Sequence, residues 1–284
     1  MKYGFFPGCV LEGAAKEAYT ATVKVAEKLG IELIELPGWT CCGASHVQNV
    51  DELAAVAINA RNIVLAEQLG VPVLTVCNTC TLMLRKAKAQ LDGGLKDKVN
   101  SFLAKGGFAY QGTSEVTHLL WAITQDYGLE NLKAKVTKPL SGLKVAGYYG
   151  CHLLRPSKIM NFEDHARPKS LEALIKTLGA EPVDFDSKLK CCGFHAQFPA
   201  AESVHKMTGQ TNQSAIEAGA DCIVTPCPLC QMQLDMYQSE GKAAVNGSRD
   251  IPVLHLAQLI GLALGFSQQE LGMKRHITET VRLN

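Results

Sequence analysis

The chain has 284 residues, 47% of them hydrophobic, with 28 basic against 27 acidic side chains. That length can bury two ordinary cores, and the near-zero charge without Lys/Arg runs excludes an extended nucleic-acid footprint. The opening MKYGFFPGCV lacks a signal peptide's apolar run and the most apolar late stretch, 251–265, is broken by His255 and Gln258, so no direct membrane insertion is expected.

The chain opens on a short β-like run, Tyr3 to Phe6, that delivers Cys9 into a Gly/Pro turn. Ala14 to Leu29 reads as an amphipathic helix stopped by Gly30, and 31–35 as a second strand ending before Cys41-Cys42-Gly43. Residues 51–69 place Leu53, Val56, Ala60, Ile63 and Val64 near helical period. Val71 to Val76 is a continuous apolar run of the buried parallel type, ending at Cys77-Asn78-Thr79-Cys80, and a helix is predicted over Leu82 to Leu91. Another follows His118, over Leu119 to Tyr127. The order then recurs: strand Val145 to Tyr149 and Cys151, helix Lys169 to Leu178 stopped by Gly179, strand 181–185 and Cys191-Cys192-Gly193. Helix Ala200 to Ala218, strand Asp221 to Thr225, Cys227-Pro228-Leu229-Cys230 and helices Leu229 to Gln238 and Leu256 to Leu264 complete it.

The second pass is a repeat of the first. The last four cysteines of each set are offset by 150 positions, and 34 residues separate the adjacent pair from the Cys-x-x-Cys in both halves. Glu52 and Asn62 match Glu202 and Asn212 at the same offset, and Val116-Thr117-His118-Leu119 resembles Val253-Leu254-His255-Leu256. The Lys-rich segment Asn131 to Leu143, with Pro139 and Gly142, is the expected joint. The fold class is therefore α/β, two tandem repeated cysteine-rich domains over 1–136 and 137–284, each with a mostly parallel sheet flanked by helices.

Every repeated cysteine follows a strand. In a parallel sheet such positions collect at the carboxyl edge, so five thiols should converge in each half. Eleven cysteines without a secretory signal point to a reducing, cytoplasmic setting, where closely spaced thiols hold metal more often than they form disulfides. A Cys-x-x-Cys alone fits a redox dithiol or half a zinc site. Five thiols over-supply one tetrahedral zinc, and adjacent cysteines suit two neighbouring irons of one cluster, so iron-sulfur ranks above zinc and dithiol redox.

These motifs, Gly8-Cys9, Cys41-Cys42-Gly43, Cys77-Asn78-Thr79-Cys80, Gly150-Cys151-His152-Leu153-Leu154-Arg155-Pro156, Cys191-Cys192-Gly193 and Pro226-Cys227-Pro228-Leu229-Cys230, resemble the cysteine-rich CCG domain. Two copies in one chain resemble the B subunit of heterodisulfide reductase, from residue 3 to about 265. The resemblance implies two non-cubane [4Fe-4S] clusters: Cys9, Cys41, Cys42, Cys77 and Cys80 hold one, and Cys151, Cys191, Cys192, Cys227 and Cys230 the other. It also implies cleavage or formation of a disulfide between them, each cluster supplying one electron and one sulfur contact. Cys42-Gly43, where methanogen B subunits carry Cys-Cys-Pro, tilts the expectation toward sulfur-oxidising heterodisulfide-reductase-like relatives and a lipoate-bound sulfur substrate, beside a small thiol or disulfide. The family implies a heterodisulfide reductase C-like ferredoxin subunit and an A-like flavin subunit as partners, because this chain has no flavin or dinucleotide fingerprint. The alternative function is an electron-transfer or anchoring iron-sulfur subunit of a succinate/fumarate, glycerol phosphate or lactate oxidoreductase complex.

Beyond the cysteines, His152 and His195 are the candidate catalytic proton carriers, with His46 a further candidate for substrate or proton contact. Arg155 and Lys158 are evenly balanced between attracting an anion and lying on a solvated surface. His118 and His255 each precede a predicted helix and read as helix-end or core residues. Cys222, with Pro72 as its counterpart, reads as an inert core thiol. Asn78 and Thr79 against Pro228 and Leu229 predict unlike surroundings for the two sets.

Overall fold

A computed structural model of the chain describes residues 1–44 and 46–280. Among them eight strands form two four-stranded sheets with every pairing parallel. The first contains β1 (Lys2–Phe6), β2 (Glu32–Glu35), β3 (Val73–Thr75) and β4 (Val116–His118) in the order β2-β1-β3-β4. The second contains β5 (Lys144–Gly147), β6 (Glu181–Val183), β7 (Cys222–Thr225) and β8 (Val253–His255) in the order β6-β5-β7-β8. The α/β architecture of two repeated units is thus the one expected. The last four residues of the second unit, 281–284, lie outside the described residues.

The fourth strands are the elements that sequence pattern leaves unread. Three residues are too few for a period, and β4 and β8 are visible beforehand only as a matching Val-x-His anchor. Pairing places them: Thr75 lies beside His118, and Thr225 beside His255. Each histidine then starts a helix, its Nδ1 accepting the N–H of Leu120 or Ala257 at 3.0 and 3.3 Å, the helix-end role expected of both.

The helices after the Cys-x-x-Cys motifs begin earlier than apolar periodicity predicts, at Asn78–Gln90 and Pro228–Met236. Cys77 and Cys227 are their N-caps in extended conformation, with φ/ψ of −129°/121° and −133°/121°. The first turn therefore carries Asn-Thr-Cys or Pro-Leu-Cys, and proline at the first helical position loses no hydrogen bond there. Its consequence is that both motifs sit at helix N-termini.

Helices cover both faces of the sheets, which is why β3 and β7 are buried throughout. Neither of the two apolar cores belongs to one half. One joins Phe5, Val25 and Leu74 to Val145, Ile175 and Leu259; the other joins Phe6, Ile63 and Val73 to Tyr148, Ile223 and Val253. At roughly 1.5–3 kcal/mol per buried large side chain, this shared interior holds the halves as one body. The C-terminal segment adds a strap: Leu271 and Met273 are buried, Arg275 reaches Glu17 at 3.0 Å, and Asp235 accepts the N–H groups of Ile277 and Thr278.

Helices Ala201–Glu217 and Gln238–Val245 touch backbone to backbone at Gly209, where a Cβ would stand 2.1 Å from the carbonyl oxygen of Gly241. Gly209→Ala must push the two helices apart, and a loss of about 1–3 kcal/mol is expected in urea unfolding; an unchanged midpoint would contradict this packing. A second expectation concerns acid. Burial, and then neighbouring His255, pushes His118 down to about 3, and burial pushes His255 down. The charges facing them are Cys227 for both and Glu17 for His255. Both stay neutral when folded but take up protons when unfolded near pH 6.5, so their contribution is complete above that pH and is lost as pH falls toward the folded values. Wild type should lose up to about 1.4 kcal/mol per pH unit for each histidine below pH 6.5. The His118→Asn/His255→Asn chain, whose amides cap without protonating, should lose correspondingly less over the same range.

Candidate metal centre

The carboxyl ends of the strands carry the thiols, as parallel topology requires. In the first set Cys9 and Cys41 lie 3.5 Å apart and Cys42 and Cys80 3.6 Å apart; in the second, Cys151 and Cys191 are 3.7 Å apart. Sequence reasoning leaves open how the two sets relate. In the structure Cys77 and Cys227 stand 3.9 Å apart across the halves, so the two gatherings abut. Gly8 and Gly150, at φ 79° and 70°, let the chain turn over this cradle. A Cβ on either would stand 3.0 or 3.1 Å from Cys80 or Cys230 Sγ.

Electrostatics describe a site short of positive charge. Cys9 and Cys151 are pushed up by hydrogen bonding to Cys41 and Cys191, then by burial; Cys80 and Cys230 are pushed up by the thiols around them and by burial. Cys41 is drawn down by hydrogen bonds from Cys42 and Cys9, and Cys191 by those from Cys151 and Cys192, each with help from a backbone N–H, Gly43 or Gly193. Burial alone would raise Cys227, yet contacts from Cys230, Cys77 and the Asn78 N–H draw it down, while the contact with Cys227 pushes Cys77 up. Five thiols cannot all ionise side by side without cations between them.

Among the described residues no three His, Cys, Asp or Glu side chains form a ready-made site for a single metal ion, and it is the donor set that bears on what fits. Five soft sulfur donors in each set, three of them buried, match a polynuclear iron-sulfur group better than a four-coordinate zinc. The cysteine clusters are consistent with such a group.

Beside the second set a small cavity of about 20 Å³ is lined by Thr79, Cys151, His152, Cys191 and His195, with Asn78 and Leu229 among its other walls. Thr79 is the residue that sequence reasoning missed. Its hydroxyl, from the first Cys-x-x-Cys, meets His152 Nδ1 at 3.0 Å and His195 Nε2 at 3.3 Å. With one proton to give, it must accept from at least one imidazole if both contacts are hydrogen bonds. The only available signal was that Thr79 and Leu229 differ between copies. Asn78 likewise crosses to the Tyr149 carbonyl at 2.8 Å, a bond Pro228 cannot mirror. Burial, then His152, pushes His195 down.

Other candidates lie elsewhere. His46 is exposed before the short helix Val47–Val50. Arg155 donates to the Leu189 carbonyl at 2.6 Å, securing the loop before Cys191, and Lys158 is exposed, so the surface reading holds for both. Cys222 is fully buried in β7 and pushed up to about 12 by burial, an inert core thiol. Two clefts of about 890 and 740 Å³ are lined by no cysteine of either set.

Comparison with known proteins follows this geometry. The family described as CCG, cysteine-rich domain, matches residues 3–85 and 145–235. The 8-methylmenaquinol:fumarate reductase membrane anchor subunit of Wolinella succinogenes is 54% identical over 99% of both chains. Heterodisulfide reductase B subunits of Methanosarcina acetivorans and Methanosarcina mazei are 38% and 37% identical, covering 99% of this chain and 95% of theirs. A Helicobacter pylori protein of solved structure shares the fold, with a TM-score of 0.79 at 16% identity over 98% of this chain; the chain spans 52% of that one. Among the described residues no helix is long and apolar enough to cross a membrane.

Cys42→Ser and Cys192→Ser should each lower the iron retained after anaerobic purification by about half, since each belongs to one set. Cys222→Ser should leave iron unchanged. Equal iron in all three chains would contradict this division of the thiols.

Proposed function

We propose, from the premise that this chain belongs to the cysteine-rich CCG domain family, that it is the iron-sulfur electron-transfer subunit of a fumarate reductase-type complex working at the membrane surface. The observation that carries this reading is the 54% end-to-end identity with a quinol:fumarate reductase anchor subunit, against 38% and 37% with heterodisulfide reductase B subunits. It supports the anchoring alternative better than disulfide cleavage or the sulfur-oxidising type expected from Cys42-Gly43, and it favours a membrane-associated chain over the cytoplasmic setting expected from the cysteine count.

In this reading the five cysteines of each half hold one [4Fe-4S] group, which would supply one-electron transfer. The chain's own part is to hold the two groups side by side. Cys77 and Cys227, 3.9 Å apart and buried, would hold the two groups near each other and away from water. Low polarity there and unlike hydrogen bonding around the two Cys-x-x-Cys motifs would separate their potentials.

Disulfide chemistry is the second reading, favoured by one feature. Both cysteine sets are complete, and Thr79, His152 and His195 stand together beside Cys151 and Cys191, where an imidazole could hold a proton for a departing thiolate. Its partners would be the ferredoxin-like and flavin-bearing subunits, and its substrate a small disulfide, thiol or lipoate-bound sulfur.

Tagged chain isolated anaerobically from its own cells is expected in the membrane fraction with a flavin-bearing subunit, about eight irons per chain, and menaquinol-dependent fumarate reduction. Reduction of a heterodisulfide or lipoyl disulfide by a reduced viologen, without fumarate turnover, would move the assignment to the second reading. Stoichiometric zinc without iron would overturn both.

A further inference from the structure

His118 and His255 cap their own helices through Nδ1, and the other ring nitrogen of each leaves its own half. His118 Nε2 meets the Pro226 carbonyl at 3.0 Å; His255 Nε2 meets the Val76 carbonyl at 3.1 Å. Those carbonyls immediately precede Cys227 and Cys77, the two thiols in contact across the halves. The exchange is reciprocal: each half grips the residue before the other's Cys-x-x-Cys.

Donor and acceptor arithmetic fixes the rings. Nδ1 receives a backbone N–H and so carries no proton, which leaves Nε2–H to donate to the carbonyl. Both rings are fully buried, so water cannot replace either bond. Each ring is also held at the end of a strand paired with the one that leads into its own motif, Thr75 beside His118 and Thr225 beside His255. A single imidazole therefore ties the ends of two strands in one half to the motif of the other.

We infer that His118 and His255 are positioning residues that lock the two Cys-x-x-Cys motifs to one another, so that each cysteine set takes its geometry partly from the opposite half. The geometry is independent of the group the thiols carry. Helix capping alone would act within one half, whereas this clasp acts across both.

Asparagine separates the two roles: it caps a helix but is too short to reach the opposite carbonyl. In the purified full chain, His118→Asn is expected to raise amide exchange about tenfold in peptides spanning 226–231 while leaving 76–81 near the wild-type rate. His255→Asn should do the reverse. With iron bound, His118→Asn in a Cys42→Ser background should shift the paramagnetic resonance spectrum of the remaining second centre. In a Cys192→Ser background it should leave that of the first unchanged. Exchange confined to each histidine's own half, or none in either motif, would overturn the clasp whatever metal is present; absence of iron bears only on the functional reading above. A spectrum of the second centre unmoved by His118→Asn would also overturn it.

Discussion

The carboxyl edges of two parallel sheets are turned toward each other, and the position of every thiol follows from that. Parallel strands deliver their loops to one edge, so each half gathers five sulfurs from segments far apart in sequence. Because the edges meet, the two gatherings become one region, with Cys77 and Cys227 at 3.9 Å. The shared apolar cores supply most of the free energy that keeps them there. Directional bonds, such as those from His118 and His255, then set the register.

Duplication makes the frame symmetric, and side chains break the symmetry where it matters. Asn78 and Thr79 reach from the first motif into the second half, while Pro228 and Leu229 offer no such donors in return. The imidazoles are also one-sided, since His152 and His195 both gather on Thr79. One scaffold thus presents two sulfur sites of the same shape with different polar surroundings. Any group the two sets hold would therefore meet different hydrogen bonding in each half.

The same frame serves more than one activity among relatives. Chains similar to this one over nearly their whole length are named both for quinol:fumarate reduction and for heterodisulfide reduction. Motif identity alone cannot rank these, because the motifs specify a sulfur cage and not its partner. Whole-chain similarity weighs the surfaces that a partner would touch, which is why it shifts the reading from the motif-based expectation.

Fixed spacing, apolar runs and Gly stops are local signals, so the duplication, the α/β class, the main helices and the ten repeated cysteines are legible in the order of residues alone. The same order marks Cys222 as a core thiol and His118 and His255 as helix starts. That the two sulfur sites touch, that Thr79 joins both imidazoles, and that each histidine grips the other half is visible only in the folded chain. Those contacts span 73 to 179 positions along the chain. No periodicity reaches so far; the packing of one sheet edge against another creates them.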